Sequence, residues 1–242
     1  MDRPTDRQKA LLEAEDWRHH AIDYVGSGLG SLASTEKVSL PIGRLVSFSL
    51  PSAPVLFLDF AADAHRRRKL LDLNASFVQH QAPQGTWPED HSGLFDYFEE
   101  MISEIVMSFS AIEAFANEAI PQDFIYHFTQ RDGTTVALVG TELERRVSLD
   151  ESSVLPSAYE IKSPKGKKAW EIYRKLKAIR DRLVHLKTVD RRASGPEDQT
   201  LWGSLIENRN ENFAQNALSV IGSFPALVAN RRWYRLARAK II

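Results

Sequence analysis

The sequence predicts a mainly α protein, a helical bundle carrying an N-terminal extension. Three observations support this class. In residues 91–120, Leu94, Phe98, Met101, Ile105, Phe109, Ile112, Phe115 and Ala119 recur every three or four positions, the spacing of one helix face. In residues 169–187, Trp170, Tyr173, Leu176, Ile179, Leu183 and Leu186 repeat that spacing beside a charged face. Runs rich in β-branched and aromatic residues are short and punctuated by Pro41, Pro51 and Pro54.

Each segment reads in order. Residues 5–25 are expected to form a helix, with Thr5 as N-cap and Leu11, Leu12, Trp17, Ala21, Ile22 and Val25 on its apolar face. Gly26, Gly28 and Gly30 stop it. Residues 38–50 and 55–60 have strand character, and a short β-hairpin fits there. Residues 63–73 read as a helix containing Arg66-Arg67-Arg68-Lys69. That run is either a solvated face or a contact to phosphates. Pro83, Gly85 and Pro88 mark a loop, so the chain divides into an extension, residues 1–90, and a helical domain, residues 91–242.

The long helix of residues 91–120 spans about 40 Å and stops at Pro121. Arg131-Asp132-Gly133 is a turn signal. Residues 134–139 are expected to be extended, 142–149 a short helix and 152–166 a loop. Residues 190–200 read as an exposed polar loop, and 210–229 as the last long helix. The tail, residues 231–240, is basic with Trp233 and Tyr234 interleaved. It either grips RNA by charge and stacking or packs its aromatics inward.

Composition bounds the function. Of 242 residues, 43% are hydrophobic and 26% charged, an ordinary globular balance. Lys and Arg total 31 against 32 for Asp and Glu, so any nucleic-acid binding must come from a local patch. Cysteine is absent, which excludes disulfides, thiolate metal sites and cysteine nucleophiles. His19, His20, His65, His80, His91 and His127 show no His-Glu-x-x-His pattern, so no metal or other cofactor is expected. The N-terminus lacks the charge-then-apolar order of a signal peptide. No apolar run reaches membrane-spanning length. A cytoplasmic location with no membrane partner is therefore the expectation.

Chemistry concentrates at the end of the second amphipathic helix, in Arg180-Asp181-Arg182-Leu183-Val184-His185. Asp181 and His185 are four apart and share a helix face, with Arg180 at its edge. A guanidinium binds two phosphate oxygens at once, and an imidazole moves protons near neutrality. Glu113 and Asn117 sit one turn apart on the long helix. Glu113 either bridges to a neighbouring helix or holds Arg180. Arg182 and Lys187, with Arg66, Arg67 and Arg68, are candidate RNA contacts. The bland alternative is that cations near a helix C-terminus merely suit the macrodipole.

Taken together, these residues resemble the HEPN superfamily. Arg180, the polar Asp181 and His185 match its Arg-polar-x3-His pattern. MSFSAIEAFANEAI, with Glu113 and Asn117, resembles its long first helix, and KKAWEIYRKLKAIRDRLVH resembles the approach to the motif. The likeness covers roughly residues 94–227. It implies a HEPN-like helical bundle that forms a homodimer with facing motifs. The implied activity is that of a metal-independent endoribonuclease acting on RNA in a toxin or antiphage defence role, with an antitoxin or defence-system protein as partner. RNA carries its own nucleophile, the 2′-hydroxyl. His185 would transfer protons, Arg180 would stabilise the phosphorane, and Asp181 would orient one or the other. Two alternatives stand beside this: an inactive HEPN-like module that binds RNA or a small ligand, and a helical interaction scaffold.

Overall fold

The computed structural model describes residues 16–23, 31–33, 35–41, 43–71, 73, 91–130, 132–140, 142–143, 154–191 and 200–241. Strands β1 (Ala21–Asp23) and β2 (Ser31–Ala33) pair antiparallel, as do β3 (Thr35–Ser39) and β4 (Leu45–Ser49). Helices α1 (Ala53–Leu70) and α2 (Ser92–Ala119) follow, then the hairpin β5 (Tyr126–Thr129) and β6 (Thr135–Leu138). Next come α3 (Val154–Ala158), α4 (Lys168–Val184) and a 3-10 turn, Thr188–Arg191. The chain ends in α5 (Leu201–Glu207), α6 (Phe213–Ile221), α7 (Pro225–Val228) and α8 (Arg232–Ile241). The described structure is mainly helical, with short antiparallel hairpins.

α2 is the axis of the fold. Its apolar residues lie on so wide a face that α1, α4 and α6 all pack against it. Met101, Ile105, Phe109, Ile112, Phe115 and Ala116 are buried along its length. α1 presents Val55 and Leu58 to this core, while its Ala61 and Ala62 form a smaller buried cluster with Ala214 of α6. α1 therefore belongs to the same core as α2, although it precedes residue 90. α6 brings Phe213, Ala217, Leu218 and Ile221, and α8 plugs the end with Trp233, which is fully buried. At the other end of the chain, Trp17 is buried and Lys240 lies over its ring at 5.3 Å.

One buried ion pair joins three elements. Glu104 on α2 takes both Nε (2.9 Å) and Nη2 (2.8 Å) of Arg68 on α1. Its other oxygen accepts from the Phe213 backbone N–H at 2.7 Å and lies 3.0 Å from His65 Nδ1. Arg68 also donates to Tyr97 Oη and to the Arg209 and Glu211 carbonyls. Every polar atom of the pair is needed, because a buried charge is tolerated only when paired and hydrogen-bonded.

Both described tight hairpins close in the same way. Leu40 N–H donates to the Arg44 carbonyl and Gly43 N–H to the Leu40 carbonyl. Gln130, Thr134 and Gly133 repeat that pattern. Gly43 (φ 73°) and Gly133 (φ 85°) occupy the left-handed position that three-residue hairpin loops require.

Several expectations are corrected. Residues 21–23 are strand, because they pair with β2; residues 5–15 and Gly26, Gly28 and Gly30 lie outside the described residues. Residues 55–60 are helical. Ser52 and Pro54 start α1 there, and Val55 and Leu58 are core residues at helical spacing. Within 152–166, residues 154–158 form α3 and bury Val154 and Leu155. The expected helix over 210–229 is broken at Gly222, Ser223 and Phe224, before Pro225 starts α7. Most of 142–149 lies outside the described residues.

Candidate functional site

α4 places the motif. It begins at Lys168 and buries Tyr173, Leu176 and Ile179. It ends at Val184, so His185 is the C-cap, with φ −123° and ψ 69°. The expected helix to residue 187 is one turn too long. Leu186, expected in the core stripe, is exposed because the chain has already left the helix. His185 N–H still donates to the Asp181 carbonyl at 2.9 Å. Its ring is exposed and has no partner among the described residues.

Arg180 is held from three sides. Nη2 donates to Glu113 Oε1 at 2.9 Å, across from α2. Nη1 lies 3.0 Å from Asp181 Oδ1. The guanidinium carbon sits 3.9 Å from the centroid of Phe109, a cation–π contact. Nε is buried with no acceptor among the described residues. Of the two readings for Glu113, the structure selects the one in which it holds Arg180. Each terminal nitrogen keeps a second hydrogen, and the side chain is 22% exposed, so the guanidinium can still meet an oxygen from solvent.

Asp181 serves the arginine, not the histidine. Its second oxygen accepts from Lys177 Nζ at 2.6 Å, one turn back. Glu113, Arg180, Asp181 and Lys177 thus alternate in sign and sum to zero. Burial pushes the Glu113 carboxyl above its usual range, and Asp181 adds to the push, against the opposing pull of Arg180 and Lys177. Asn117 is not brought to this cluster. It is exposed and, with Glu118, Ile120, Pro121, Gln122, Gly140 and Leu143, lines a separate surface cavity of about 450 Å³.

The candidate RNA contacts divide. Arg68 is corrected: it is buried in the ion pair with Glu104, and no phosphate can reach it. Arg66 and Arg67 are exposed, but pair with Asp63 and with Glu100 (2.6 Å). Arg182 donates to both oxygens of Asp190, at 3.0 and 2.5 Å. Asp190 also caps the Lys187 and Leu201 N–H groups. It is buried, not part of an exposed loop as expected. These bonds, that from Arg182 foremost, hold its pKa down to about 2. Lys187 is exposed. In the tail, Trp233 is in the core and Arg231 is bound by Glu118 and His20, so the inward-packing reading holds for both.

Some of these groups were not legible beforehand. Phe109 shows only as a core position, and its place under Arg180 depends on how α2 and α4 cross. Lys177 was legible, since it lies four residues before Asp181. His20 is not on a helix. It joins Glu118, Arg231 and Ser52, which together hold the Glu118 pKa down against the upward push of burial. Among the described residues no three His, Asp or Glu side chains converge as metal ligands, and no helix is long and apolar enough to cross a membrane. No family model, curated protein or solved structure matches the chain.

Proposed function

We infer that this chain is a metal-independent endoribonuclease whose half-site is Arg180 with His185. The observation that carries the reading is the contrast between the two side chains. Arg180 is fixed by Glu113, Asp181 and Phe109, as a group aimed at developing charge must be. His185 stands unengaged at the helix end, able to approach a substrate. Val184 and Leu186 flank it with exposed apolar side chains, which suits burial against a second copy. The HEPN-like resemblance supplies the rest: a homodimer in which two motifs meet.

In the reaction, neutral His185 takes the proton of the ribose 2′-hydroxyl. The 2′-oxygen attacks the adjacent phosphorus, and Arg180 donates to the non-bridging oxygens of the phosphorane. The bond to the 5′-oxygen breaks, and that oxygen takes a proton from the imidazolium of His185 of the partner subunit. The products are a 2′,3′-cyclic phosphate and a 5′-hydroxyl. A toxin or defence role, with a partner protein that restrains cleavage, follows from the same resemblance.

The test is incubation of the purified protein with total RNA in EDTA. Fragments with cyclic phosphate ends are expected, lost on His185→Ala while the circular dichroism spectrum is unchanged. Undiminished cleavage by the His185→Ala protein overturns the assignment. One observation favours a second reading, an RNA-binding module without catalysis: two carboxylates already counter the charge of Arg180. RNA binding with no cleavage at any pH would select it.

A further inference from the structure

We propose that the solvent-facing stripe of α4 is a track for single-stranded RNA, anchored by Lys162, Lys165, Lys167, Lys168 and Arg174. This rests on the ribonuclease reading only for the chemistry at the far end; the binding stands without it. Of the expected RNA contacts, Arg66, Arg67, Arg68 and Arg182 are engaged by acids, and Lys187 alone is exposed without an ion pair among the described residues. Residues 162–174 differ. They hold these five cations against the single acid Glu171, in a chain of net charge −1. All five are exposed and none has an ion pair among the described residues.

Local structure gives no reason for these lysines. Lys167 is the N-cap of α4 and makes no capping hydrogen bond, and Lys168 opens the first turn. The N-terminus of a helix favours acids and short polar caps and disfavours cations. Two lysines there, after two more in the preceding loop, oppose helix stability. The turn that presents them is fixed: Lys167 N–H donates to the Pro164 carbonyl, and Gly166 takes φ 78°. Lys165 leans on Trp170, its Nζ 5.8 Å from the ring centroid.

The stripe then leads to the motif. At about 100° per residue, Lys167, Asp181 and His185 lie within about 20° of Arg174, and Ala178 within about 40°. Lys167, Arg174, Ala178 and His185 are exposed and Asp181 is half-buried. The 17 residues of α4 span about 25 Å. A flexible phosphate chain held at the lysines can reach His185 along one face, whereas a mononucleotide cannot span both. Backbone contacts of this kind carry no base preference.

The experiment measures anisotropy of a labelled oligouridylate over a KCl series. The proteins compared are the full-length chain and its K162A/K165A/K167A/K168A variant. Each lysine is exposed, so the variant keeps its circular dichroism spectrum. Binding is expected to weaken about tenfold or more. The slope of log K against log salt should fall by about 3, because each phosphate left without its lysine takes about 0.7 from it. The corresponding quadruple Lys→Arg variant restores both. An unchanged slope overturns the proposal, as does lysine-dependent binding to phosphatidylserine vesicles with none to RNA. His185→Ala separates the two claims, since it abolishes cleavage and leaves the slope intact. Lysine-dependent binding without cleavage by the unmodified protein sinks the nuclease and keeps the track. Cleavage with unchanged KM in the lysine variant does the reverse.

Discussion

Glu104→Leu is expected to be the most damaging single change outside the aromatic core. The carboxylate is fully buried and Arg68 nearly so. Removing it leaves Arg68 beside Tyr97 Oη, the carbonyls of Arg209 and Glu211 and His65 Nδ1, but with no carboxylate as counter-charge. Breaking a buried pair in this way costs about 3–5 kcal/mol. The Phe213 N–H, bound at 2.7 Å, is orphaned as well, adding about 1–3 kcal/mol. About 4–8 kcal/mol is a large share of the 5–15 kcal/mol that holds a typical domain, and corresponds to a Tm fall of about 10–30 °C. The assay is urea unfolding followed by circular dichroism, with Arg68→Met and the double variant completing a cycle. Each single change strands the same charge pair, so the double variant should lose about 2–4 kcal/mol less than the sum. It should not return to the starting stability, because the backbone groups of Arg209, Glu211 and Phe213 still lack partners. A loss under about 1 kcal/mol for Glu104→Leu, or strict additivity, would refute the account, since both are far below the penalty of a stranded buried charge.

Other outcomes follow from the same contacts. Glu113→Ala should lower RNA cleavage about tenfold or more by freeing Arg180. Its stability should change by under about 1 kcal/mol, because the pair is partly exposed; single-turnover kinetics beside a Tm measurement check this. Asp190 has a folded pKa of about 2 against an ordinary 3.8. Its contribution is therefore complete above about pH 4 and is lost as pH falls through the interval down to about 2. Asp190→Asn should flatten that part of a Tm–pH curve, and an unaltered curve would remove Asp190 from the account. Trp233→Ala should cost about 3–5 kcal/mol as a core cavity, and RNA binding per folded molecule should not change; selective loss of binding with normal Tm would return Trp233 to the surface.

The sequence by itself determined the mainly helical class and the two helices that matter most. The three-or-four spacing through Met101, Ile105, Phe109 and Ile112, and through Tyr173, Leu176 and Ile179, is a local property. So is the hairpin turn at Gly133, which needs a left-handed residue. The pairing of Glu113 with Arg180 was one of two readings, and the sequence could not choose. Only tertiary structure decided it, because the distance between residues so far apart in the chain depends on how α2 lies against α4. The same holds for Arg66, Arg67 and Arg68, which look alike in sequence. Successive helix positions differ by about 100°, so two of them meet solvent while the third turns into the core and finds Glu104. Charge content is written in the chain, whereas which charges remain free for a ligand is fixed only when the fold has paired the others.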